Sequence, residues 1–157
     1  MVAHTAEPID TDAVIIGAGP VGLFQAFQLG LLEISCHIVD ALPHTGGQCA
    51  ELYGDKPIYD IPGTVATTGH GLAEALLQQI APFKVPMHLG EQVVSLQREP
   101  DGRLRLSTTR APRFLAKTFL LPVCLGASVS RPHRTQPPVR FDRNQLFFPP
   151  ETLAQIH

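Results

Sequence analysis

Long apolar runs are missing from this sequence. Its most hydrophobic stretch, residues 13 to 32, is interrupted by Gly17, Gly19, Pro20, Gly22 and Gln25, so it is not read as a membrane span. No basic segment precedes it. Glu7, Asp10 and Asp12 stand there instead, which argues against a secretory leader and sets the expectation of a cytoplasmic protein that does not use a membrane. Cysteine is scarce and unpatterned: Cys36, Cys49 and Cys124 form no CxxC and no metal-ligand spacing, so they are read as reduced thiols, with no disulfide and no zinc. The seven histidines are scattered singly, with no carboxylate or cysteine partner at a recognisable spacing, and no metal is assigned to them.

Charge is also sparse, at 17% of residues with a net of −2, but 44% of the 157 residues are apolar, so disorder is not indicated and one real core is expected. The chain is too short for two full nucleotide-binding domains. Its charge is uneven: residues 1 to 97 hold ten acidic and two basic side chains, net −8, and residues 98 to 157 hold four acidic and ten basic, net +6. A basic half can signal nucleic acid, but no aromatic interleaving accompanies these arginines, so no nucleic-acid partner is expected.

Residues 1 to 11 are polar and acidic without a period and read as a mobile arm. Asp12 to Ile16 is a short strand of buried type that leads straight into glycines. A helix is expected from Pro20, whose fixed φ suits the first helical position. Cys36 to Val39 is a second strand with Asp40 at its end, which makes a strand, helix, parallel strand unit. Residues 41 to 70, dense in Gly, Pro, Asp, His and Thr, read as a long ordered loop of the kind that carries function. Gly71 to Ile80 is an amphipathic helix closed by Pro82. Met87 to Leu89 and Gln92 to Gln97 are strand-like, and a turn at Pro100-Asp101-Gly102 leads to the alternating Leu104, Leu106 and Thr108, a hairpin or meander. Residues 114 to 121 supply a further buried strand, ended by Pro122. Residues 131 to 143 hold four arginines and three prolines without a period that buries a face, and no regular structure is assigned to them.

Gly17, Gly19 and Gly22 stand at the GxGxxG spacing directly after a strand and open a helix at Pro20. Each glycine has a physical task in dinucleotide binding: the tight turn, the close approach of backbone to pyrophosphate, and the close packing of helix on strand. The helix start offers free N–H groups and a positive dipole end to the phosphates. Asp40, eighteen residues after Gly22, sits where a carboxylate accepts hydrogen bonds from the adenosine ribose, although a turn cap is the plainer reading of an aspartate there. The same charge, with no arginine following nearby, argues against a 2′-phosphorylated dinucleotide at this site. FAD and NAD remain.

The segment Thr45-Gly46-Gly47-Gln48-Cys49-Ala50-Glu51-Leu52-Tyr53 separates them, since two glycines followed by Gln48 resemble the loop with which two-dinucleotide flavoprotein reductases wrap the flavin side of FAD. Residues 12 to 60, with GAGPVGL and IVDALPHTGGQCAELYGDKPIYDIPG, resemble the thioredoxin-reductase-like class of ferredoxin–NADP reductases. The resemblance runs from about residue 10 to about residue 120. It implies an α/β fold, an incomplete Rossmann-like FAD-binding domain over residues 12 to 127 in which a parallel sheet with a crossover helix is joined by a β-meander, followed by an irregular tail over 128 to 157. It also implies a homodimeric enzyme that passes hydride from NADPH to FAD and single electrons to ferredoxin or flavodoxin. By position, Gly17, Gly19, Pro20 and Gly22 would hold the pyrophosphate and Asp40 the ribose; Gly47, Gln48 and Tyr53 would meet the flavin side, and Val93 would lend backbone contacts to adenine.

Disulfide reductases of related fold carry two redox cysteines with four residues between them, but position 54 is Gly, so Cys49 is read as a small packed thiol. Gly54 also stands where the family usually has proline. Of the two tyrosines, only Tyr53 is assigned a stacking role. Because the flavin carries the chemistry, no acid, base or nucleophile is demanded of the protein, and no catalytic residue is assigned. The sequence departs from the family in lacking the second GxGxxG unit for NADPH and the late FAD motif. Pro122 and Cys124 interrupt the expected glycine-rich turn, with Gly126-Ala127 as a trace. Residues 128 to 143 no longer resemble the family and Gln145 to Leu153 faintly do, the pattern a frameshift leaves. Three alternatives stand beside the flavoprotein reading: a non-catalytic remnant that only binds nucleotide, a thioredoxin-reductase-related oxidoreductase, and a plain NAD-dependent dehydrogenase, which the GGQ loop disfavours.

Overall fold

A computed structural model describes residues 7–110 and 113–122. The supposed Arg/Pro tail and frameshifted stretch, Cys124 and the Gly126-Ala127 trace lie outside the described residues, as does the domain boundary at 127.

The first unit forms as its sequence dictates. Strand β1 (Ile9–Ile16) runs into helix α1 (Pro20–Leu31), and β2 (Cys36–Asp40) returns parallel to β1, with Ala13 opposite Cys36 and Ile16 opposite Val39. Helix α2 (Gly47–Tyr53), the two-residue strands β3 (Pro57–Ile58) and β4 (Thr67–Thr68), and helix α3 (Gly69–Ile80) follow. A 3₁₀ turn over Ala81–Phe83 takes up Pro82 and leads into β5 (Met87–Leu89). The meander is β6 (Val93–Arg98), β7 (Leu104–Thr108) and β8 (Arg113–Leu120). The six-stranded sheet has the order β5-β2-β1-β8-β7-β6, parallel through its first four strands and antiparallel through its last three.

Alternation along the strands gives each face its own core. Ala13, Ile15 and Ile38 point to the face that Leu23 and Ala26 of α1 and Ile80 of α3 cover. Val14 and Val39 point to the other, where they join Leu106, Phe114, Ala116 and Phe119. Leu106 on β7 shares that cluster with Val39 on β2 although β1 and β8 lie between them in the sheet. This second core therefore runs along one face of the sheet from the parallel strands into the meander.

Two expectations are corrected. Residues 9 to 11 are not part of a mobile arm: Ile9, Asp10 and Thr11 pair with Phe114, Leu115 and Ala116 of β8, a partner more than a hundred residues away that no local period announces. Thr11 is buried, its hydroxyl donating to the Ser35 carbonyl at 3.2 Å, and Arg103 bridges Asp10 at 2.8 Å. Nearby, Lys117 at 2.6 Å and the Ser35 hydroxyl and amide hold the Asp12 carboxyl down at about 2. This folded-state value is depressed, so the contribution of Asp12 to stability is complete above its ordinary value of 3.8 and fades as pH falls towards about 2.

The second correction concerns residues 41 to 70, which are not one long loop. They carry α2, the β3–β4 hairpin and the first two residues of α3. The cause is tertiary. A Cβ on Gly69 would stand 2.0 Å from the Cys49 carbonyl oxygen, so the bare glycine lets α2 lie directly on the start of α3, and the His70 N–H donates to the Gly54 carbonyl at 3.0 Å. Thr68 caps α3, its Oγ1 accepting from the Gly71 N–H at 3.1 Å. Thr68→Ala is expected to lower stability by about 1 kcal/mol in urea unfolding, the usual worth of an N-cap hydroxyl, and Thr68→Ser to restore it.

Candidate functional site

Gly17, Gly19, Pro20, Gly22, Asp40 and Gly47 meet at the end of the sheet where β1 and β2 finish. Gly17, at φ +130, turns the chain out of β1 while its N–H donates to the Val39 carbonyl at 2.8 Å. Gly19, in extended conformation, is the N-cap of α1, and no side chain caps that helix start. Pro20 has no N–H to satisfy, so the amides of the next residues face outward as a ready anion site. Gly22 is the contact point: a Cβ there would sit 1.9 Å from the Gly17 carbonyl oxygen and 3.3 Å from Ile15 Cγ2, so only glycine lets α1 press on the end of β1.

The second glycine pair comes to the first. Gly46, at φ +101, donates its N–H to the Ala18 carbonyl at 2.8 Å, and a Cβ on Gly47, at φ +53, would lie 3.0 Å from Gly19 Cα. Two segments 28 residues apart thus form one wall of bare backbone. Gln48 is half-buried on the first turn of α2. Tyr53 ends the same helix five residues later, about 7.5 Å further along its axis. It is half exposed, with Lys56 Nζ 5.3 Å from its ring centre.

Asp40 lies across the turn from Gly19. Its Oδ2 accepts the Ala18 N–H at 2.5 Å and its Oδ1 the Leu42 N–H at 2.8 Å, so it caps both loops with two of the four or so hydrogen bonds a carboxylate can accept. The remaining capacity is what a ribose hydroxyl would use. Its backbone carbonyl accepts from Glu91 N–H at 2.9 Å, and the Leu42 carbonyl from Gly90 N–H at 2.8 Å. Those two bonds bring the β5–β6 junction, and with it Val93, to the same strand end. Val93 pairs with Thr108 at an irregularity in the ladder and packs on the meander core.

The sequence reading missed several participants. Glu91 is buried, its Oε2 accepting from the Arg110 N–H at 3.0 Å, and the Arg110 guanidinium lies against Gly90. An arginine therefore does stand near the Asp40 end of the site, although none follows it along the chain; the meander delivers it. The histidines are also not without partners. His44 meets Glu51 at 2.5 Å, and the Thr45 carbonyl and Glu51 beside it push the imidazole up. His37 Nδ1 and His88 Nε2 are 3.0 Å apart on neighbouring strands, with both rings held below their ordinary value chiefly by burial. Helix α2 closes the first pair and β2–β5 pairing the second, neither at a spacing sequence alone would single out. Burial pushes the Cys36 thiol up, as for an inert core cysteine. No group of three or more His, Cys, Asp or Glu able to hold a metal occurs among the described residues.

Comparisons with known proteins find the same fold. Residues 15–80 match the family described as NAD(P)-binding Rossmann-like domain. The ferredoxin–NADP reductase of Albidiferax ferrireducens is 50% identical over 142 residues, 90% of this chain and 40% of that protein; that of Acidovorax sp. is 52% identical over 147 residues, 94% of this chain and 42% of that protein. The chain thus spans about two fifths of these relatives' length. Among solved structures, the thioredoxin reductase of T. acidophilum superposes with a TM-score of 0.62 at 25% identity, covering 71% of this chain and 34% of that one. The thioredoxin reductase of Gloeobacter violaceus gives 0.60 at 26% identity over 73% of this chain and 37% of that one.

Proposed function

The chain matches the amino-terminal part of ferredoxin–NADP reductases of the thioredoxin-reductase-like class, and on that premise we propose that it is the FAD-binding portion of an NADPH-dependent flavoprotein that reduces ferredoxin. The observation that carries this reading is the contact between Gly17–Gly19 and Gly46–Gly47 at the uncapped start of α1, with Asp40 opposite. A side chain at Gly47 would close that space. When bound, FAD supplies the hydride and single-electron chemistry.

The residues here bind and orient. The amides after Pro20 and the dipole of α1 face the pyrophosphate. Asp40, already holding the two turns, receives the ribose hydroxyls. Gly46, Gly47 and Gln48 line the path towards the flavin, and Val93 offers backbone to the adenine. Flavodoxin is an alternative acceptor, the working assembly a homodimer and the compartment the cytoplasm; for all three the support is the family resemblance. No helix among the described residues is long and apolar enough to cross a membrane.

A second reading concerns these residues taken alone: with one GxGxxG among them, they would bind nucleotide without turnover. Purified protein is expected to be yellow or to become so with added FAD, and to show NADPH-dependent diaphorase activity near background. A colourless chain that takes up no added FAD overturns the flavin reading. Substantial diaphorase activity overturns the remnant.

A further inference from the structure

Arg110 has no part in the reading above, yet its surroundings are specific. A Cβ built on Gly90 would lie 3.8 Å from Nη1, 3.9 Å from Nη2 and 4.0 Å from Cζ of Arg110. The Nη1/Nη2 end of the guanidinium therefore borders the space that a side chain at position 90 would fill. Its backbone is fixed, because the N–H donates to the buried Glu91 carboxylate at 3.0 Å. Gly90 and Glu91 are in turn bonded to Leu42 and Asp40. None of the ion pairs among the described residues uses Arg110. The side chain is exposed, next to the β5–β6 junction that is bonded to Asp40 and Leu42.

We propose that Arg110 is an adenine-binding residue, its exposed guanidinium stacking on the base of the bound dinucleotide. This rests on the FAD reading, which places adenosine at Asp40 and Val93. The chemistry favours arginine: its guanidinium is planar, weakly hydrated and stacks on aromatic faces, whereas an ammonium is a hydrated point charge. The negative groups bordering the position, Asp40 and Glu91, are both bonded to backbone N–H groups. The arginine is therefore not consumed in neutralising them, and Gly90, with φ +68, presents no side chain to the guanidinium.

Titrating the full chain with FAD and with ADP, followed by flavin fluorescence and calorimetry, tests the assignment. Arg110→Ala is expected to weaken FAD and ADP by the same factor, about tenfold, and Arg110→Lys to recover little of it. Because Arg110 is exposed, both variants should keep the wild-type unfolding midpoint. Unchanged FAD and ADP affinity in Arg110→Ala overturns the proposal while leaving the FAD reading intact. So does full rescue by lysine, which would make the contact one of charge, or a wild-type preference for 2′-phospho-ADP over ADP. Failure of the wild type to bind either ligand overturns the FAD reading first, and the adenine assignment with it.

Discussion

Gly22→Ala is expected to unfold the domain or leave it barely folded, with a loss of at least 3 to 5 kcal/mol, the range reserved for severe backbone and packing conflicts. The added methyl would stand 1.9 Å from the Gly17 carbonyl oxygen and 3.1 Å from its carbon, and both are backbone atoms that cannot rotate away. Relief requires α1 to lift from β1, which separates Leu23 and Ala26 from Ala13 and Ile15 across the helix-side core. Against a total stability of about 5 to 15 kcal/mol for an ordinary domain, that is a large fraction. Gly19→Ala is the control. Its Cβ would lie 3.9 Å from Gly47 Cα, an ordinary contact, and Gly19 already has a φ of −74°. It should keep stability within about 0.5 kcal/mol, as an unstrained substitution does, while weakening FAD binding, because the methyl occupies the pyrophosphate approach. Urea unfolding of both variants, read with a flavin titration, checks the pair. A Gly22→Ala protein within 1 kcal/mol of wild type, on the order of a typical single substitution, would show that the helix does not rest on the turn as described.

Phe114→Ala is expected to cost about 3 to 5 kcal/mol, the usual range for removing a large aromatic side chain from a core. Phe114 is 0% exposed and among the largest fully buried side chains. Its ring meets His37 edge-on at 5.4 Å and His88 at 5.0 Å between centres, so it closes the stacked histidine pair against water. That gives the variant a second signature. Burial lowers both histidines, the like charge of His88 lowers His37 further, and Glu91 pulls His88 the other way. A histidine whose folded value lies below its unfolded one takes up protons on unfolding, so wild-type stability should fall as pH drops below about 6.5. Opening the site to water moves both histidines back towards their ordinary value. The Phe114→Ala protein should therefore lose less further stability between neutral and mildly acidic pH than wild type does. Unfolding at the two pH values reads both effects, and an equal pH dependence in the two proteins would remove the histidine pair from the account.

Much of this site was legible before any fold was known, because its first half is local. The strand ending at Ile16, the glycines at 17, 19 and 22, Pro20 and the carboxylate of Asp40 follow one another within thirty residues, and each obeys a rule that acts over a few bonds. The meander was legible for the same reason, through the Pro100-Asp101-Gly102 turn between alternating strands. The strand character of Ile9 to Thr11 was not, since β8 is its partner and a polar Asp10 conceals it. Nor was α2, which buries no residue of its own and depends on the bare Gly69 of α3 to receive it.

The sequence by itself determined the class of fold, the first glycine turn and the family resemblance, because turn chemistry, periodicity and the GxGxxG spacing are written in consecutive residues. Only the tertiary structure decided that Gly46 and Gly47 abut Gly17 to Gly19, that Asp40 ties both loops, and that Arg110 arrives beside Gly90. Those arrangements depend on hydrogen bonds and close approaches between segments 20 to 70 residues apart, and no local preference in either segment encodes the distance between them.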